Sequence, residues 1–302
     1  IQCGSIFTDI NLNQKSEQNI GSAPLPWVIP QPKAMLTNKK INSFSSNISH
    51  YQMMKEIQNQ WKDWCLDLPA IFITYNGHAF DEELIRRQFW CNLLEPYITN
   101  TNQNGRLDLM LMIHNIAPFF SEEISIPYFE DGPALSIKLE HLADEHGIDV
   151  SDAHDAISDC KFMIGICKVI QEKIPEVFES FIKISTKEGV KDLLYTNEFL
   201  ALGEVYRRHP FKYPVVICGA DNSRPNEICF FDLSFEGIDG NIISLKEFKN
   251  KPIIIVNSAS FCGFTYQYEQ LENLYQKFKK KELVVIAIPS NDFGGQEFKD
   301  NK

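Results

Sequence analysis

No two of the eight cysteines (Cys3, Cys65, Cys91, Cys160, Cys167, Cys218, Cys229, Cys262) are spaced as Cys-x-x-Cys, so neither a zinc knuckle nor a dithiol motif is expected. No apolar run reaches the roughly 18 residues of a membrane span, and the N-terminus lacks a signal-peptide layout. Nothing directs the chain out of the cytoplasm, where thiols stay reduced and are expected to be mostly buried. Positive charge is short as well. The formal net charge is −11, which argues against broad electrostatic wrapping of nucleic acid. It leaves room for an enzyme that presents its phosphate-facing charge as bound metal. From Glu236 onward nine acidic residues meet nine basic ones, so the acidic excess lies upstream. All four tryptophans (Trp27, Trp61, Trp64, Trp90) also lie upstream. No internal repeat is visible, and 302 residues exceed what one hydrophobic core usually serves, so two or more domains are expected.

Residues Ile1 to Asp9 read as a strand already under way, and the chain stops at Lys302 without a closing element, so both ends read as cut. Gly21 to Ile41 is Pro-rich and polar and reads as a loop. Apolar spacing predicts a helix over Tyr51 to Leu66, broken by Pro69, a buried strand over Ala70 to Tyr75, and a helix over Asp81 to Leu94. Leu107 to Ile116 and Ser136 to His146 read as helices. Ser151-Asp152 supplies N-cap chemistry for a helix to Ile174, and Glu176 to Leu194 reads as helical too. Glu198 to Leu233 shifts to short β runs. Asp239-Gly240 suggests a hairpin. Pro252 to Asn257, a helix to about Lys281 and Leu283 to Pro289 make a βαβ unit with parallel strands.

Two fragments carry acidic chemistry. In Tyr75-Asn76-Gly77-His78-Ala79-Phe80-Asp81 a buried strand ends and an Asp opens the next helix. In Ala153-His154-Asp155-Ala156-Ile157-Ser158-Asp159 a helix begins. Taken singly, Asp81 fits an N-cap or a solvated helix position, and His154 fits a satisfied helix-start histidine. Together they match what two-metal phosphodiester hydrolysis needs: carboxylates converging on a pair of Mg²⁺ ions, and a nearby His to take the proton from water.

Together with Pro30-Gln31-Pro32, Arg106-Leu107-Asp108-Leu109, Leu139-Glu140-His141-Leu142 and His146-Gly147-Ile148, in that order, these fragments resemble the DEDD-type 3′–5′ exonucleases with a catalytic His, and within them the exodeoxyribonuclease I family. The resemblance covers about residues 1 to 233. It implies a ribonuclease-H-like α/β core, Asp81 and Asp159 as metal ligands, His154 as general base, Mg²⁺ as cofactor and single-stranded DNA as substrate. Residues 198–233, with Arg207, Arg208 and Lys212, look like the start of a small SH3-like β barrel that helps hold the DNA. The family's Asp-x-Glu strand, expected ahead of Ile1, is absent. With two of four acids missing, no significant nuclease activity is expected of this chain.

A third fragment carries a thiol. The strand Ile253 to Val256 ends, and Cys262 follows in the turn before a helix whose apolar residues are Leu271, Leu274, Tyr275 and Phe278. Unpaired N–H groups at a helix start favour thiolate. The strand Val284 to Ile288 runs into Pro289 to Glu297 at the same sheet edge, which brings Gln296 toward the sulfur. From about Phe231 to Lys302 this pattern looks like the glutathione peroxidase family, a thioredoxin-like fold. It implies Cys262 as the peroxidatic residue, Gln296 as its partner, no resident cofactor, and a thiol co-substrate such as glutathione or thioredoxin. The family's later Trp and Asn are not in this chain.

The expected architecture is therefore three-part: a ribonuclease-H-like domain over 1–175 lacking its first strand, a helix and partial β barrel over 176–233, and a truncated thioredoxin-like segment over 234–302. Phe231-Asp232-Leu233 serves both resemblances, with no linker between them. An exonuclease joined to a peroxidase is the first expectation. An inactive fused or truncated fragment, or a thiol peroxidase as the main activity, is the alternative.

Overall fold

The computed structural model describes residues 2–25, 27–29, 31–32, 48–129, 132–151, 155–197, 199–220, 223–224, 227–233, 243, 245–289 and 296. The chain divides into two compact units, Ile1–Ile217 and Cys218–Lys302. His154 and the suggested turn at Asp239-Gly240 lie outside the described residues.

The first unit opens with β1 (Gln2–Thr8) and β2 (Gln14–Gly21), an antiparallel pair. The sequence gives β2 no apolar alternation, because it is a polar strand with half of its residues exposed. Asp9 makes the turn, its Oδ1 accepting from the N–H groups of Asn11 and Asn13, with Leu12 in the left-handed region at φ 59°. The helix α1 (His50–Trp64) follows, its N-cap Ser49 accepting from Gln52 N–H. It buries Met53, Met54 and Ile57, at helical spacing, in one core cluster with Ile20 and Phe89.

Next come β3 (Ile71–Thr74), α2 (Asp81–Cys91), β4 (Gly105–Asp108) and α3 (Leu109–Phe119). β3 and β4 are parallel, with Thr74 opposite Asp108. Here the sequence reading is corrected: 107–108 is strand, not helix, and the helix starts only at Leu109. Asp108 ends the strand and caps the helix, its side chain accepting from Met110 N–H. α3 is the centre of the larger core, burying Leu109, Met112, Ile113 and Ile116.

The helices α4 (Leu139–Glu145) and α5 (Ala156–Lys173) come next. The N-cap of α5 is Asp155, whose Oδ2 accepts from Ile157 N–H, rather than Ser151-Asp152. α5 lies on β1 at Gly4, where an added Cβ would sit 2.6 Å from the Ala156 carbonyl carbon, so glycine is what permits the approach. The single helix expected over 176–194 is two, α6 (Pro175–Lys183) and α7 (Lys187–Thr196), the second capped by Thr186. Pro175 stands at the start of α6, where its missing N–H costs nothing. β5 (Leu200–Tyr206) and β6 (His209–Ala220) form a hairpin.

In the second unit, β7 (Ile228–Asp232), β8 (Ile253–Ser258), α8 (Gln267–Phe278) and β9 (Val284–Pro289) are described. β8 and β9 are parallel in register from Ile253–Val284 to Ser258–Pro289, as a βαβ crossover requires. The cysteine expectation is corrected. All eight are free, but only Cys167 is buried, while Cys91, Cys218 and Cys229 are exposed.

Candidate functional site

Parallel strands deliver their C-terminal loops to one edge of a sheet, the usual place for an α/β site. Asp81 follows β3 at that edge as the first residue of α2. The helix has Phe80 at its N-cap with no side-chain cap, so Asp81 opens the helix without serving as its cap. Desolvation raises the Asp81 carboxyl above its ordinary value, and the negative charges of Asp108 and Glu82 push the same way.

The second fragment comes from α5. Asp155 spends one oxygen on its capping bond and receives Gln2 Nε2 on the other at 3.5 Å. Asp159 lies one turn on, its N–H bonded to the Asp155 carbonyl. The thiol of Cys160 donates to Gly4 O at 3.5 Å. Burial pushes that thiol up to about 12, reinforced by the charges of Cys3, Asp159, Asp155 and Asp81. The half-buried Cys160 sulfur thus feels acids from both predicted fragments, and Cys3 on β1 also feels Asp81. Asp159 lies on α5, which packs on β1, and the charges of Asp81 and Asp159 both act on the Cys160 thiol.

These groups do not by themselves fit a divalent ion. Among the described residues no set of three or more His, Cys, Asp or Glu side chains is arranged to hold a metal.

Three residues missed at the sequence level support Asp81. Asp108, buried, accepts from Asn76 N–H at 2.8 Å, His78 N–H at 3.1 Å and Met110 N–H at 3.1 Å. Glu82, also buried, is paired with Arg106 at 2.6 Å and His78 at 3.2 Å. Burial pushes the Glu82 carboxyl up, but the bonds and charges of His78 and Arg106 outweigh it and hold it low. The spacing of Arg106 and Asp108, two apart on a strand, was the available signal.

The three cations expected to meet DNA lie on one hairpin, each over a different aromatic ring. Arg207 and Arg208 form the two-residue tip of the β5–β6 hairpin, both left-handed at φ 48° and 68°. Arg208 stacks over Phe129 at 4.3 Å and Arg207 over Tyr206 at 5.3 Å, while Lys212 lies over Phe119 at 5.4 Å.

In the second unit Cys262 is half-buried in the turn after β8. Its N–H reaches Ala259 O at 3.3 Å, and its carbonyl accepts from Thr265 N–H at 3.1 Å and from the Thr265 hydroxyl. The helix begins at Gln267, so Cys262 lies five positions short of it rather than on its first turn, and Thr265 rather than the helix organises the turn. Gln296 comes to the same place through its backbone: its carbonyl accepts from Phe261 N–H at 2.9 Å.

The first unit is an α/β arrangement with a parallel β3–β4 pair, and the second holds the parallel β8–α8–β9 unit. Residues 230–302 match the glutathione peroxidase family model. The chain is 30% identical over 266 residues to Exodeoxyribonuclease I of Buchnera aphidicola subsp. Schizaphis graminum, covering 86% of this chain and 51% of that one. It is 40% identical over 72 residues to Glutathione peroxidase of Lactococcus lactis subsp. cremoris, covering 24% of this chain and 46% of that one. Among solved structures, E. coli Exonuclease I in complex with a dA16 oligonucleotide superposes with a TM-score of 0.66 at 23% identity, over 78% of this chain and 51% of that one. The chain joins an exodeoxyribonuclease I-related segment to a glutathione peroxidase-related segment, and spans about half the length of the curated relatives it matches.

Proposed function

We propose that the first unit is a 3′–5′ exodeoxyribonuclease module acting on single-stranded DNA and that the second is a thiol peroxidase module acting through Cys262. What supports the first half is that the charges of Asp81 and Asp159 both act on the half-buried thiol of Cys160. In this reading Asp81 and Asp159 are Mg²⁺ ligands and His154 is the general base. Two-metal hydrolysis of this class uses carboxylates beyond these two, so no reaction step is assigned to the described residues alone. The β5–β6 hairpin is read as the opening of a small barrel whose Arg207, Arg208 and Lys212 face the DNA backbone.

In the second half, the Cys262 thiolate attacks the O–O bond of a peroxide. One oxygen stays on sulfur as a sulfenic acid, the other leaves as water or alcohol, and two equivalents of an external thiol such as glutathione or thioredoxin restore the cysteine. Gln296 is its partner.

A second reading is an inactive fused or truncated fragment, favoured by the lack of a three-ligand metal set among the described residues. A labelled single-stranded oligonucleotide and a peroxide, assayed in parallel on the same preparation, separate the readings. Mg²⁺-dependent shortening from the 3′ end that disappears in Asp81→Ala supports the nuclease module. Thiol-dependent peroxide loss that disappears in Cys262→Ser supports the peroxidase module. Loss of neither substrate leaves the fragment reading standing.

A further inference from the structure

The start of α2 is decided outside the helix. Its N-cap is Phe80, which has no side chain to bond the first N–H groups. Instead, the carbonyl of Gly77 receives the N–H groups of Phe80 at 3.2 Å and Glu82 at 2.9 Å. The turn that presents this carbonyl is constrained. Asn76 is left-handed at φ 59°, and a Cβ at Gly77 would sit 2.2 Å from Thr74 Oγ1. Two of the turn's own N–H groups, those of Asn76 and His78, point at the Asp108 carboxylate on β4.

Asp108 needs only the Met110 bond to cap α3. Its other two bonds reach back 32 and 30 positions to the turn before Asp81. Three N–H donors occupy most of the four lone-pair positions a carboxylate offers. That makes Asp108 a poor direct metal ligand and a good brace. Arg106, two residues earlier and so on the same face of the strand, holds Glu82 on the other side of Asp81.

We propose that Asp108 is a positioning residue for Asp81, acting by fixing where α2 begins; this rests on the reading of Asp81 as a site carboxylate. An amide in its place loses one acceptor and turns an N–H₂ toward an N–H, so the turn loosens and Asp81 leaves the first helical position.

The test uses the full chain without metal. In Asp108→Asn, amide exchange at Asn76 and His78 is expected to rise roughly tenfold or more, and the ¹³Cα shift of Asp81 to move from helical toward coil. Ile170→Val, a core change on α5, supplies an ordinary destabilisation for comparison. An Asp81 shift that stays helical in Asp108→Asn, or moves as far in Ile170→Val, overturns the proposal. If Asp108→Asn fails to fold, Asn76→Gly is added to relieve the left-handed position, and the same readings are taken on the pair. Because no metal or substrate enters these measurements, they stand apart from the oligonucleotide assay, whose failure counts against the nuclease reading alone.

Discussion

The two units hold their reactive groups in different ways. In the first, Asp81 opens a helix whose start is tied to buried Asp108 and Glu82 and half-buried Arg106, in a unit with two apolar clusters whose members include Phe89, Leu109 and Ile113. In the second, Cys262 sits in a turn closed by short-range bonds among Ala259, Cys262 and Thr265. There α8 buries none of its residues, and Leu283 is the buried apolar side chain among those described. A carboxylate site needs distant chain segments to meet against charge repulsion, which only a packed core can impose. A thiol site needs one turn at a strand end, and that geometry is local.

The largest test of this contrast is a pair of truncations. Phe89→Ala should cost about 3–5 kcal/mol in urea unfolding of the first unit, whereas Leu271→Ala on half-buried α8 should cost the second about 1 kcal/mol or less. Equal costs would break the comparison. Next, Arg106→Gln leaves Glu82 buried with only His78 and the more distant Arg86, and should cost about 3 kcal/mol. Because folding holds the Glu82 carboxyl below its ordinary 4.5, its contribution is complete above that pH and is lost as pH falls through the lowered value. The variant should show less acid dependence below pH 4.5, read from melting temperature against pH.

Asp81 has the opposite sign. Its carboxyl is raised, so the ionised form penalises the folded state at neutral pH. Asp81→Asn should therefore raise the melting temperature slightly at pH 7, with the gain fading as pH falls through the raised value and gone below 3.8. A loss of stability at pH 7 would mean that Asp81 is a structural residue. The smallest effect belongs to the hairpin tip. Arg207→Asn should stabilise by about 0.5 kcal/mol, since Asn accepts the left-handed conformation of a type I′ turn more readily. No gain would show that stacking on Tyr206 outweighs the backbone cost.

Much of this was legible in the residues. The apolar periods of α1, α2 and α5 and the β8–α8–β9 unit are local patterns, and the structure follows them. β2 was not legible because it is polar and gains its place by pairing with β1. The break at Asp108 was hidden because Leu107 and Leu109 continue one apolar run through a strand end and a helix start. The cap of α5 moved to Asp155 because a capping bond depends on backbone angles that composition does not reveal.

For the two reactive groups the division is sharper. Sequence alone singled out the candidate residues, Asp81 and Asp159 in one pattern and Cys262 in another, because reactivity belongs to residue type and spacing. The tertiary structure decided what surrounds them. It put the Cys160 thiol where the charges of Asp81 and Asp159 both act, tied the turn before Asp81 to Asp108 and Glu82 to Arg106, and set Cys262 in a turn ahead of its helix. Burial and through-space charge depend on which distant segments pack together, and that is settled only when the chain folds.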